Sequence, residues 1–147
     1  MKISTKGRYG ARVMLELALD YGKGPVQAKE IARRQELSPK YIEHLIASLK
    51  AGGLVKAVRG VHGGYVLSKP PGHIRLIDIL GVLEGSVGVV ECLDNPDVCS
   101  RQKVCVTREI WAEMKEAITG ILASTTLENM VQRMIQKQQG TVPMYYI

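Results

Sequence analysis

At 147 residues with 46% apolar side chains, the chain suits a single domain, or one small domain with an appended arm, and can build a genuine core. No run approaches the roughly 20 apolar residues of a membrane span, and the opening MKISTKGRYG lacks the apolar stretch of a secretory signal. A cytoplasmic protein is expected. The net charge of +6 is uneven: residues 1–75 hold fourteen Lys and Arg against five Asp and Glu, giving +9, while 76–147 hold six against nine, giving −3. A basic half of this kind points to phosphate neutralisation with salt-dependent affinity. No acid/base or nucleophile pair and no phosphate-binding loop marks an enzyme.

Lys2, Lys6, Arg8 and Arg12 cluster at the start, where Ser4 or Thr5 can cap a helix running to about Asp20. Met14, Leu17, Ala18 and Tyr21 mark its inward face, and Val13, Leu15 and Leu19 widen the apolar surface beyond one stripe. Gly22, Gly24 and Pro25 end it. Val26 to Gln35 reads as a short helix with Ala28, Ile31 and Ala32 on its apolar face, and Glu36-Leu37 is a tight connection of helix-turn-helix type. Ser38-Pro39 then starts a second helix, since Ser can accept from an orphan backbone N–H and Pro fits the first helical position. Ile42, Leu45, Ile46 and Leu49 form its buried stripe, leaving Lys40, Tyr41, Glu43, His44 and Ser48 largely outside it. Gly52-Gly53 closes the helix, and Val55–Val58 with Tyr65–Leu67 reads as a hairpin around a basic, glycine-rich tip, Arg59-Gly60 and His62-Gly63-Gly64. The fold expected is mainly α with a small β-hairpin: a helix-turn-helix followed by a wing. In that geometry the second helix enters the major groove of double-stranded DNA.

Beyond the breaker cluster Lys69-Pro70-Pro71-Gly72, residues Ile74 to Leu83 predict a short, mostly buried helix. From Gly85 to about Lys103 the pattern dissolves into a long loop, which holds or adjoins all three cysteines. Ile110, Met114, Ala117, Ile118 and Ile121, with Trp111 beside them, predict a strong helix. Thr125 to Glu128 reads as a capping box opening a last helix through Met130, Met134 and Ile135. A chain of this size cannot easily cover so long a stripe alone, so pairing with the same helix of a second subunit is expected. Two-fold symmetry would then set two reading heads about 34 Å apart, one turn of DNA.

Cys92, Cys99 and Cys105 are separated by six and five intervening residues. Stable disulfides are uncommon in the cytosol and three thiols cannot all pair within one chain, so metal or redox chemistry is favoured over three unrelated small residues. Thiolates suit zinc or an iron-sulfur cluster, and either normally takes four ligands. The absence of a CxxC pair weighs against structural zinc.

The opening MKISTKGRYGARVMLELA, the helix LSPKYIEHLIASLKAGGLVK, the wing VRGVHGGYVL and the three-cysteine loop resemble the winged-helix regulators typified by IscR, a family that also includes NsrR and CymR. The resemblance runs nearly end to end. It implies a homodimer: a winged helix-turn-helix DNA-binding domain at 1–84, a cluster-binding cysteine loop at 85–105, and at 106–147 a dimerisation helix and a C-terminal helix packing back on the DNA-binding domain. Carried over by position, Ser38, Lys40, Tyr41, Glu43 and His44 would read the major groove. A glutamate there selects sequence by accepting from cytosine amino groups. Arg59 would enter the minor groove, with Gly60, His62, Gly63 and Gly64 shaping the wing tip. His44 and His62, both in the reading head, are assigned to DNA and not to metal.

The same resemblance assigns Cys92, Cys99 and Cys105 to a cluster, 2Fe-2S by preference, although one extra residue separates the first two. IscR-type proteins with a histidine ligand carry it three residues after the last cysteine, where this chain has Arg108. NsrR-type proteins take a carboxylate from the partner's first helix, where this chain has Arg8. Glu109 is a candidate substitute, alongside another carboxylate, a small thiol or solvent. The CymR likeness pulls the other way: CymR lacks the cluster cysteines and signals through cysteine synthase. The opening, the STTLENM segment and the terminal Tyr145-Tyr146-Ile147, a candidate partner-binding tail, look closer to CymR. The reading that follows is a cluster-sensing DNA-binding regulator; the alternatives are a CymR-like repressor under a protein partner and, behind both, an iron-sulfur electron carrier or enzyme.

Overall fold

In the computed structural model, which describes residues 2–140, Ser4 lies in extended backbone and accepts from the Gly7 N–H, which starts α1 (Thr5–Leu19). Val13, Met14, Leu17 and Ala18 are buried along it. Tyr21, expected on the same face, is exposed, because the helix stops at Leu19 and the chain swings out through Gly22 and Gly24, both at positive φ.

Helix α2 (Ala28–Gln35) buries Ala28, Ile31 and Ala32. Its turn into α3 (Pro39–Ala51) runs through Glu36 at φ 54°, a left-handed residue of a type that seldom adopts it. Ser38 caps α3 through the Tyr41 N–H, and Ile42, Leu45, Ile46 and Leu49 form its buried stripe. Val26, read from sequence as the start of α2, is extended instead: its N–H donates to the Tyr65 carbonyl and its carbonyl accepts from the Tyr65 N–H, at 3.0 and 2.8 Å. That bridge pins the wing to the helix pair. The wing is an antiparallel hairpin of β1 (Val55–Val58) and β2 (Gly64–Leu67), in register from Val55 opposite Leu67 to Val58 opposite Gly64.

A 3₁₀ turn at Pro71–His73 leads to α4 (Leu76–Glu84), opened by reciprocal bonding between Arg75 and Asp78. The stretch expected to be an open loop contains a short helix, α5 (Glu91–Asp94), and a second 3₁₀ turn at Pro96–Val98. Asp94 holds this segment down: it pairs with Lys115 and accepts from the Ser86 hydroxyl. Helix α6 (Val106–Ser124) follows, then α7 (Leu127–Gly140). The α7 cap is reciprocal between Thr126 and Asn129, not between Thr125 and Glu128, because Thr126 directly precedes Leu127, the first residue of the helix; the Thr125 hydroxyl donates instead to the Ile121 carbonyl at the end of α6.

One core joins α1, α2, α3 and α4, with the wing strands along its edge. Leu127 of α7 is fully buried in it and Met130 and Val131 pack against it, so the C-terminal helix returns to α1. Helix α6 contributes differently: Leu122 is its one buried residue.

Candidate nucleic-acid interface and cysteine segment

Because its four apolar residues fix α3 to the core, Lys40, Glu43 and His44 are all exposed on the opposite side. Tyr41 is half-buried. Ser38 is partly spent on capping, its oxygen accepting from Tyr41 N at 3.1 Å, which leaves the hydroxyl proton to donate outward. At the wing Arg59, Gly60, Val61 and His62 are exposed. The tip glycines divide the work differently from the sequence reading. Gly60 takes the turn, at φ 113°. Gly63 and Gly64 instead permit close approach: a Cβ on Gly63 would lie 2.2 Å from the Val58 carbonyl oxygen, and one on Gly64 2.6 Å from that of Val26. Both obstacles are backbone, so neither side chain can be accommodated by a rotamer change.

Tyr9, Glu16, Arg34 and Gln35, to which the sequence reading gave no role, brace this face together with Arg8 and Arg12 of the N-terminal basic cluster. The Tyr9 ring stands edge-on to Tyr41, centroids 6.1 Å apart, and the Arg8 and Arg12 guanidiniums lie 5.8 and 5.1 Å from its centroid. Arg12 also donates to Gln35 Oε1, and Gln35 Nε2 donates to buried Glu16. Arg34 completes the clamp between α1 and α2, donating to Glu16, Asp20 and Glu30 at 3.2, 2.6 and 3.0 Å. The nearest signal in the sequence was Arg8, Tyr9 and Arg12 sharing one helix face.

Cys92 lies on α5, Cys99 closes the second 3₁₀ turn and Cys105 is the N-cap position of α6; all three are partly exposed free thiols. The Thr107 hydroxyl, 3.2 Å from its sulfur, and the Arg108 backbone N–H hold Cys105 below the usual thiol range. The expected constellation is not assembled: among the described residues no three His, Cys, Asp or Glu side chains are grouped so that they could hold a metal ion. The donor set therefore fits an iron-sulfur centre in kind, as three accessible thiols, and not in position. Arg108, in the first turn of α6, reaches back to the segment: its terminal nitrogen is 3.4 Å from the Cys92 carbonyl oxygen, and its Nε is buried and without a partner among the described residues. Glu109 is exposed on the first turn of α6.

The outer face of α6 carries Val106, Ile110, Met114, Ala117 and Ile121 at helical spacing, and Val106, Ile110 and Ile121 are 69%, 48% and 65% exposed. Among the described residues no helix is long and apolar enough to cross a membrane. The proposed tail, Tyr145 to Ile147, lies outside the described residues.

The Rrf2 family, described as an iron-dependent transcriptional regulator, matches residues 3–133. Over 147 residues, all of both chains, the protein is 42% identical to the HTH-type transcriptional regulator CymR of Bacillus subtilis. It is 36% identical to the HTH-type transcriptional regulator IscR of Xenorhabdus nematophila over 132 residues, 90% of this chain and 80% of that one. The solved structure of T. potens IscR superposes with a TM-score of 0.79 at 42% identity, covering 99% of this chain and 97% of that one. These relatives are named as regulators and not as enzymes. The winged helix and these similarities, which span nine-tenths of the chain or more, agree, and the chain belongs to the Rrf2 family of DNA-binding transcriptional regulators.

Proposed function

We propose that two copies of the chain, paired through α6, present α3 to adjacent major grooves and the wings to the flanking minor grooves, and that the 92–105 segment receives the signal. The observation that carries the dimer is the apolar stripe of α6, which is too exposed for a finished surface. In this reading Ser38, Lys40, Tyr41, Glu43 and His44 face the bases and groove walls, Arg59 enters the minor groove, and Gly60, His62, Gly63 and Gly64 form the tip. Glu43→Ala is expected to flatten base preference more than it lowers affinity, and Arg59→Ala to weaken binding on all sequences. Equal losses on selected and random duplexes for both variants would refute that division.

The signal proposed is an iron-sulfur cluster, 2Fe-2S by preference, held by Cys92, Cys99 and Cys105. The support is three partly exposed thiols on the one segment that joins the DNA-binding head to α6, in a family described as iron-dependent. Bound, such a group supplies a charged, redox-sensitive centre. Taking it requires the segment to bring the three thiols together; Arg108 cannot ligate, and Glu109 is the candidate fourth ligand on this chain. Signalling further requires that the two states of the segment differ in DNA affinity. The test is a visible spectrum with iron and sulfide analysis on anaerobically purified protein, repeated for Cys92→Ser. Cluster bands lost with the substitution support the reading. A colourless, iron-free protein that binds DNA even after reconstitution with iron and sulfide sinks it. The second reading then takes over, a regulator without a cluster governed by a protein partner such as cysteine synthase, favoured by the full-length similarity to CymR.

A further inference from the structure

The head has six arginines before residue 85, and they fall into two sets. Arg33, Arg34 and Arg75 are each ion-paired to a carboxylate, Arg33 although its side chain is 71% exposed. Arg8, Arg12 and Arg59 have no carboxylate partner among the described residues. Arg59 is already placed on the wing that faces DNA. The other two are exposed and flank one aromatic ring, Tyr9, which packs on the core and touches Tyr41 in the first turns of α3.

A solvated basic surface would not need this arrangement. Exposed arginines lose side-chain entropy when they are held, and here both are held: Arg8 by Tyr9 and by the Thr5 hydroxyl, Arg12 by Tyr9 and by Gln35. Each donates one side-chain hydrogen bond out of a possible five, and both are exposed, which leaves donors open to solvent and a charge that no carboxylate compensates among the described residues. The location decides what those donors can meet. Gln35 ends α2 and Tyr41 is the third residue of α3, in its first turn, so the two arginines border the end of the recognition helix that enters the groove. In a helix-turn-helix the duplex wall beside that end is phosphate.

We infer that the Arg8–Tyr9–Arg12 edge of α1 is a second DNA-contacting surface, taking backbone phosphates beside the major groove that α3 enters. The ring fixes the two guanidiniums before binding, so little further ordering is needed on contact. The surface carries no base information; it sets affinity and the register in which Glu43 and Lys40 reach the bases. The inference rests on the reading of α3 as the recognition helix.

The test measures binding of the full chain to two duplexes over a range of salt concentrations, one of mixed sequence and one selected from a randomised pool by the unaltered protein. Arg8→Gln and Arg12→Gln are each expected to reduce the slope of log affinity against log salt by about 1 on both duplexes, leaving the ratio between them unchanged. Arg8→Lys, which keeps the charge, is expected to retain the slope. Arg12 also braces Gln35, so Arg8→Gln, whose one hydrogen bond is within its own helix, is the decisive variant, with a thermal melt to show that it folds. An unchanged slope for folded Arg8→Gln overturns the inference. A loss confined to the selected duplex overturns it too, because that is base readout and not phosphate contact. An unaltered protein with no preference between the duplexes would sink the recognition-helix reading itself, an outcome distinguishable from either.

Discussion

The winged-helix head and helix α6 have similar apolar content and opposite fates for it. In the head, Val13, Met14, Ile31, Ile42, Leu45, Leu49, Ile74 and Ile79 are sealed from solvent. On α6, Val106, Ile110 and Ile121 are left open while only Leu122 is covered. The head is thus a finished unit within one chain, and α6, on the proposed reading, is one half of a unit that a second chain completes. Substitutions should separate the two sharply. Met14→Ala removes a side chain with no exposure and is expected to cost about 3 kcal/mol, seen in denaturant unfolding at any protein concentration. Ile121→Lys is expected to leave head stability within about 0.5 kcal/mol and to abolish dimerisation in sedimentation. Ile121→Lys protein that stays dimeric would break the comparison.

A smaller effect sharpens the same contrast through polar contacts. Glu16 is 5% exposed and accepts from both Arg34 and Gln35, so Glu16→Ala strands donors at the joint between α1 and α2. About 1–2 kcal/mol of stability is expected to be lost. Asp94, which pairs with Lys115 over the cysteine segment, is itself more than a third exposed, so solvent screens the pair and Asp94→Asn should shift the same titration much less than Glu16→Ala does. Equal losses would mean that the segment is built into the head's cooperative unit.

What was legible in the sequence follows the division. The head could be read because each signal there is local: Ser38-Pro39 starts a helix whatever surrounds it, the steps from Ile42 to Leu49 leave one possible inner face, and Gly53 at φ 77° ends the helix as its type suggests. The misreadings came mainly where a distant partner decides. Val26 follows Tyr65 of the wing and not the helix it precedes. Gly63 and Gly64 are glycines because of carbonyls at Val58 and Val26, which no turn rule reveals. The cap of α7 falls one residue later than read, on Thr126 and Asn129, because the helix begins at Leu127. The cysteine segment is the extreme case: spacing alone suggested a ready ligand set, yet three thiols on a segment with two short helical turns need not converge, and among the described residues they are not grouped as one.

The smallest predicted effect is in the pH dependence, and it tests whether the head is self-contained. Arg33 and then Arg34 donate to the Glu30 carboxylate and lower its pKa from 4.5 to about 2; Asp78 is lowered by Arg75. A carboxyl whose folded pKa is depressed stabilises the fold above its unfolded value and loses that contribution as pH falls toward the folded one. The window for Glu30 therefore runs from about 4.5 down to about 2. Denaturant midpoints are expected to fall across it, and to fall less steeply for Glu30→Gln. Both carboxylates and all three arginines belong to the head, so the monomeric Ile121→Lys protein should show the same acid slope as the dimer. A slope that disappears with the dimer would place the titrating groups at the α6 interface and would contradict the view that one chain completes the head alone.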